Sequence, residues 1–159
     1  MKRRQSWSRR AGVILSAVLF LSLSRVAPAL AGTWGAYQVA NECSATQSSP
    51  ISGVYWQVCS YGGDYVEYPG DHWSSVALLV TNTTGRNYYV QADLQLWSTR
   101  SLVKSDSCGT TLIPSYSRYS CSGAYVVIPY GANQQGRGRM AIAGQWDTWA
   151  WGQTWTFYP

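Results

Sequence analysis

The sequence predicts an all-β domain: an antiparallel β-sandwich, or a Greek-key barrel, of about nine or ten short strands stapled by two disulfides. Three observations carry this. Segments with the two-residue period of strands recur along the chain, each followed by turn residues. The composition after residue 31 is rich in Trp and Tyr and poor in clustered helix formers. The cysteines are even in number, and the chain opens with an export-type segment.

The clearest segment spans residues 74–98. It reads SSVALLVT, then the polar NTTGRN, then YYVQADLQLWS. In the last part Tyr88, Val90, Ala92, Leu94 and Leu96 share one parity, and Tyr89, Gln91, Asp93, Gln95 and Trp97 the other. That is the pattern of a half-buried strand. The first part is apolar at both parities, as in a central strand covered on both faces. The two are expected to form a hairpin at the centre of the fold, with Val76, Leu78, Val80, Val90, Leu94 and Leu96 in the core.

Residues 1–31 read as a secretory signal peptide and residues 32–159 as a single domain. Lys2, Arg3, Arg4, Arg9 and Arg10 precede an apolar run of 12 residues, and Ala29-Leu30-Ala31 supplies a small-residue cleavage site. The run falls short of the ~20 residues a membrane-spanning helix needs, so no stable membrane insertion is expected after cleavage. Arg9-Arg10 leaves twin-arginine export open beside the general route. The leader also accounts for the basic balance of the whole chain. Beyond residue 31 stand six basic and seven acidic residues, a net charge of −1 rather than +5. A nucleic-acid partner is therefore not expected.

Four cysteines in an exported chain are expected to be oxidised. Of the three pairings, the local one is favoured, Cys43–Cys59 and Cys108–Cys121, each closing a short polar segment. A zinc site would need closer cysteine pairs or a second histidine. No metal or cofactor is expected.

The remaining elements follow in order. Trp34, Tyr37 and Val39 suggest a first strand, and 44–52 a loop. Residues 53–60 form a strand ended by a Gly62-Gly63 turn, with a short strand over 64–68 after it. Residues 101–104 suggest a brief edge strand, and 108–121 a stapled loop or weak hairpin. Residues 124–128 form a strand, the PYGANQQGRG of 129–138 a flexible turn, and 139–143 a return to the sheet. Residues 146–157 alternate large against small, as one strand bent at Gly152 or two shorter ones.

Chemical candidates are few. Asp64, Glu67, Asp71 and His72 lie in GGDYVEYPGDHW. They read first as a solvated acidic turn with His72 hydrogen-bonded locally, and otherwise as a calcium loop or an acid/base pair. Asp147 sits among tryptophans, where its pKa would rise, or where it would accept from an indole N–H. No nucleophile elbow is present. Arg137 and Arg139 read as a solvated turn. Asn82-Thr83-Thr84 matches a glycosylation acceptor in the loop of the expected hairpin, though a bacterial-type leader argues against modification.

The aromatic surplus is the strongest functional feature. Trp149, Trp151, Trp155 and Phe157 share a parity that suits a core between sheets first and an exposed platform second. Tyr89 and Trp97 oppose the apolar face of their strand. With Trp146, Trp149, Trp151 and Trp155 they are the candidate ligand-binding residues. The expected function is a secreted, extracellular, non-catalytic module that binds polysaccharide or cell-wall glycan through surface Trp and Tyr. The alternative is a secreted protein-interaction module contacting another secreted or cell-surface protein, such as an inhibitor, toxin or envelope component. A small extracellular hydrolase comes third.

Overall fold

A computed structural model describes residues 32–36, 42–64 and 71–156. The expected leader, Tyr37 and Val39 of the first strand, Glu67 of the acidic loop and Phe157 lie outside these. The described residues form strands and turns without helix. The strands are β1 (Thr33–Ala36), β2 (Glu42–Cys43), β3 (Gln47–Ser48), β4 (Val54–Asp64), β5 (Asp71–Asn82), β6 (Tyr88–Ser98), β7 (Ser101–Ile113), β8 (Ser117–Ser122), β9 (Val126–Pro129), β10 (Gln134–Ile142), β11 (Gln145–Trp146) and β12 (Ala150–Trp155).

They make two antiparallel sheets packed as a sandwich. Sheet A runs β1-β8-β5-β4-β2, with β3 also on β4 and β9 also on β5. Sheet B runs β11-β10-β6-β7, with β12 also on β10. Strand β5 is central and buried at nearly every position, as its two-sided apolar pattern requires. Strand β6 alternates, with Val90, Ala92, Leu94 and Leu96 inward. The predicted core residues Val76, Leu78, Val80, Val90, Leu94 and Leu96 are all buried, together with Val54, Trp56, Val58, Met140 and Ile142.

The expected central hairpin does not form. Strand β5 pairs with β4, β8 and β9, and β6 pairs with β7 and β10, so the two lie in different sheets and face each other across the core. Both inner faces are apolar, and burying them against each other satisfies the same alternation that a hairpin would. The connecting residues form an arch, held by Asn82. Its amide nitrogen donates to the carbonyls of Arg86 and Pro114, each at 2.8 Å, and its Oδ1 accepts from Thr84 N and Oγ1 at 3.0 and 2.8 Å. Asn82 is 1% exposed, so the glycosylation pattern at this position points into the protein.

Other boundaries shift for physical reasons. Gly62 and Gly63 lie inside β4, paired with Ser74 and Trp73, so the strand continues through the expected turn. Residues 101–113 form one long edge strand rather than a brief strand and a loop. The chain then turns at 114–116 and crosses to sheet A as β8. Cys108–Cys121 therefore ties sheet B to sheet A through the core, and Cys43–Cys59 ties neighbours β2 and β4 within sheet A. Both pairings match the sequence expectation. The expected flexible turn at 129–138 is confined to 130–133, because β10 begins at Gln134. Gly136 and Gly138 face inward there: a methyl on Gly136 would collide with Val76, and one on Gly138 would stand 3.0 Å from Val58. Glycine at these positions lets the sheets approach.

Candidate functional site

The outer face of sheet B carries the side chains of interest. Strand β10 and its neighbours β6, β11 and β12 build it, and their register fixes who meets whom. Trp97 of β6 lies opposite Gln135 of β10, Gln95 opposite Arg137, and Asp93 opposite Arg139. On the far side of β10, Arg137 lies opposite Trp151 and Ala141 opposite Trp146. Alternation along β10 thus sends Gln135, Arg137 and Arg139 outward as a row, not into a solvated turn.

That row interleaves with the tryptophans. Trp97 and Trp151 meet edge to face, with centroids 5.7 Å apart. The Arg137 guanidinium lies 4.8 Å from the Trp149 ring and 4.9 Å from that of Trp151. The Arg139 guanidinium lies 4.4 Å from the Trp146 ring and 4.8 Å from that of Trp149. The order along the surface is Trp97, Trp151, Arg137, Trp149, Arg139, Trp146. Each cation–π contact at such a partly open site is worth about 0.5–1 kcal/mol, so the ladder holds its own geometry. Asp93 anchors one end, accepting from Arg139 Nε at 2.9 Å and Nη2 at 2.7 Å. Trp146 and Trp151 remain 42% and 45% exposed.

At the Trp97 end the ladder opens into a groove of about 670 Å³, lined by Trp97, Thr99, Arg100, Asn133, Gln134, Gln135, Trp151 and Thr154. The two-residue turn between β6 and β7 sets its rim. Thr99 and Arg100 both take positive φ, 47° and 67°, as a type I′ hairpin turn requires. Thr99 N donates to Asn133 O at 2.9 Å, locking that rim to the loop before β10. Gln134 is buried, and its amide hydrogen-bonds His72 Nε2 inside the sandwich.

The sequence candidates therefore divide. Trp97, Trp146, Trp149 and Trp151 come together on the ladder, so the preferred core reading of Trp149 and Trp151 is corrected to an outward one. Trp155 is separated from them by a bulge. Between the pairs Gln135–Thr154 and Arg137–Trp151, β12 holds one residue more than β10. The extra residue reverses the alternation, turning Thr154 outward into the groove. Trp155 pairs with inward-facing Gln134 and lies edge-on to His72, with centroids 6.0 Å apart. Tyr89 is 65% exposed, but it sits at the opposite end of β6 from Trp97, opposite Leu112.

Of the candidates in the acidic stretch, only Asp71 and His72 have described side chains. His72 is fully buried in β5, with Tyr130 and Trp155 around it and Gln134 as partner, instead of sitting in a solvated turn. Asp71 takes the opposite parity and does not converge with it. Among the described residues, no three of His, Cys, Asp and Glu are grouped to hold a metal ion. Asp147 accepts from the Trp56 indole N–H at 2.9 Å. Burial raises its pKa above the usual value of 3.8, and the indole hydrogen bond opposes part of that rise.

Arg100, Asn133, Gln134, Gln135 and Thr154 were missed as site residues. The strand signal that would have found Gln134 and Gln135 was present. In QQGRGRM the polar residues Gln135, Arg137 and Arg139 alternate with Gln134, Gly136, Gly138 and Met140. Glycine hid it, because a strand position with no side chain reads as a turn.

The sequence matches no protein-family model and no curated protein. Among solved structures, an X-ray structure of Northeast Structural Genomics Consortium target SoR45 aligns with a TM-score of 0.40 and 12% identity, covering 67% of this chain and 87% of that chain. That likeness is too distant to bear on function.

Proposed function

We propose that the mature domain is a secreted, non-catalytic binding module that seats a polysaccharide or cell-wall glycan on the outer face of sheet B. The observation that carries this reading is the groove lined by the Trp97–Trp151 pair. Its described lining offers two indoles, the side-chain amides of Asn133 and Gln135, two threonine hydroxyls and one guanidinium, while the Gln134 amide turns inward to His72. Indoles stack on the apolar faces of sugar rings, while amides and hydroxyls both donate to and accept from sugar hydroxyls. A concave site with a few convergent polar groups on a rigid sheet is the usual form of a ligand seat. The pair of carboxylates that glycoside hydrolysis uses is not in this described lining. The two disulfides fit an oxidising, extracellular-type environment, in keeping with export after cleavage at Ala31.

The test is retention of the mature protein on insoluble glycans, together with Trp fluorescence titration by soluble ones. Wild type is expected to be retained on at least one polymer with a shift in emission. The double variant Trp97→Ala/Trp151→Ala is expected to lose retention while keeping its far-UV spectrum. Absence of retention and spectral change across the panel would sink the reading. A protein partner is the second reading, favoured by the Trp and Arg content of the ladder, which matches interface hot spots.

A further inference from the structure

We propose that the glycan taken by this face is anionic, its carboxylate or sulfate held by Arg137 and Arg100; this rests on the glycan-binding reading above. The two ladder arginines differ in one respect. Arg139 is committed to Asp93 through two hydrogen bonds. Arg137 has no acidic partner among the described residues: its register neighbours are Gln95 and Trp151. Its Nε is buried without a hydrogen-bond partner there.

Stacking on Trp149 and Trp151 engages the face of a guanidinium and leaves its in-plane Nη donors for another acceptor. Those donors form a fork that matches the two oxygens of a carboxylate. The two indoles hold the fork in place, so little rotamer entropy remains to be lost on binding. A second cation stands on the same face: Trp151, which stacks on Arg137, also walls the groove whose rim carries Arg100. Arg100 is exposed, and the turn that presents it is tied to Asn133.

The charge balance of the face points the same way. Arg100, Arg137 and Arg139 stand on it against Asp93 alone among the residues described above, although the mature domain has a net charge of −1. The positive charge is local. Nucleic acid, the other polyanion that pairs arginine with aromatic rings, needs a track of cations along successive phosphates. Two uncommitted guanidiniums beside amides and hydroxyls suit a saccharide bearing one acidic group per residue or two.

The experiment is a binding titration of the mature protein with four probes: a polyuronate, the same polymer methyl-esterified, a sulfated polysaccharide and a single-stranded oligonucleotide. The expected result is tighter binding to the polyuronate or the sulfated polymer than to the ester, with affinity falling as salt rises. Arg137→Gln and Arg100→Gln are each expected to weaken binding to the acidic polymer by about tenfold. Arg137→Lys, which keeps the charge but loses the planar fork, should also weaken it. Equal affinity for polymer and ester overturns the anionic proposal and leaves glycan binding standing. Binding to none of the polysaccharides overturns both. Oligonucleotide binding as tight as that of the polyuronate also overturns it, in favour of nucleic acid. If Arg137→Gln fails to fold, exposed Arg100 decides: full affinity in Arg100→Gln and insensitivity to salt would defeat the proposal.

Discussion

Trp151 and Trp155 stand four residues apart in a strand and face opposite sides of the sheet, because one extra residue lies between them. Single residues carry comparable weight elsewhere. Asn82 makes its hydrogen bonds from a buried position, and they join two crossings between the sheets, since Pro114 belongs to the β7–β8 connection. Asn82→Ala leaves the Arg86 and Pro114 carbonyls without these donors, which costs about 2–3 kcal/mol. Equilibrium denaturation measures it, and a loss near zero would contradict the role assigned to Asn82. Asp147 makes a prediction in pH. Its folded-state pKa lies above 3.8 because burial disfavours the carboxylate. The folded state therefore holds the proton more tightly than the unfolded chain, and this site's contribution to stability declines as pH rises through 3.8 and on through the raised value. Asp147→Asn keeps an acceptor for the Trp56 indole and removes that decline. Melting temperatures from about pH 3.5 to 6 should shift in favour of the variant as pH increases. A difference that stays constant across that range would show that Asp147 is not the titrating group.

At the scale of elements, β10 organises the candidate site. Its inward residues are Gln134, Gly136, Gly138, Met140 and Ile142, and its outward ones supply the arginines. The inward glycines let sheet A come close, and that approach fixes the height of the outward row. The neighbouring strand β12 contributes the bulge at Gly152 and Gln153, opposite Gly136. Deleting Gln153 removes the bulge and leaves Gly152 opposite Gly136, Thr154 opposite Gln135 and Trp155 opposite Gln134. Trp155 then keeps its inward place beside His72, and the expected signature is an unchanged Trp emission with a folded far-UV spectrum. A red shift in emission would mean that the pairing of Trp155 with Gln134 depends on more than the count of residues in β12.

In the whole molecule, the chain crosses between sheets at β5–β6, β7–β8 and β9–β10, and each sheet is completed by strands distant in sequence. Cys108–Cys121 is the covalent form of that crossing. Both cysteines are fully buried, and they are separated by 13 residues in sequence. Replacing both with Ala should cost about 3 kcal/mol by the chain-entropy estimate, with the empty space between the sheets adding to it. Denaturant midpoints of the oxidised wild type and the variant read this directly, and a loss below about 1 kcal/mol would contradict the cross-sheet role. The sandwich also sets which functions can coexist. Its interior end near the groove is polar, with Ser60, Ser74, His72 and Gln134 buried, while Trp97 and Trp151 stand outside it.

The sequence by itself determined an all-β domain and the inward faces of its two most apolar strands, and it favoured the local cysteine pairing. These are short-range properties: parity along Val76, Leu78 and Val80 or Val90, Leu94 and Leu96 has a period of two whatever the partner strand is. Tertiary structure decided the rest. Whether β5 pairs with β6 or faces it is invisible in either strand, because both arrangements bury the same side chains. The strand character of Gln134–Ile142 was masked by glycines whose purpose appears only when Val58 and Val76 of the other sheet arrive above them. The outward face of Trp149 and Trp151, and the inward turn of Trp155, depend on a single-residue bulge against β10. Alternation cannot reveal an inserted residue until the partner strand supplies the count.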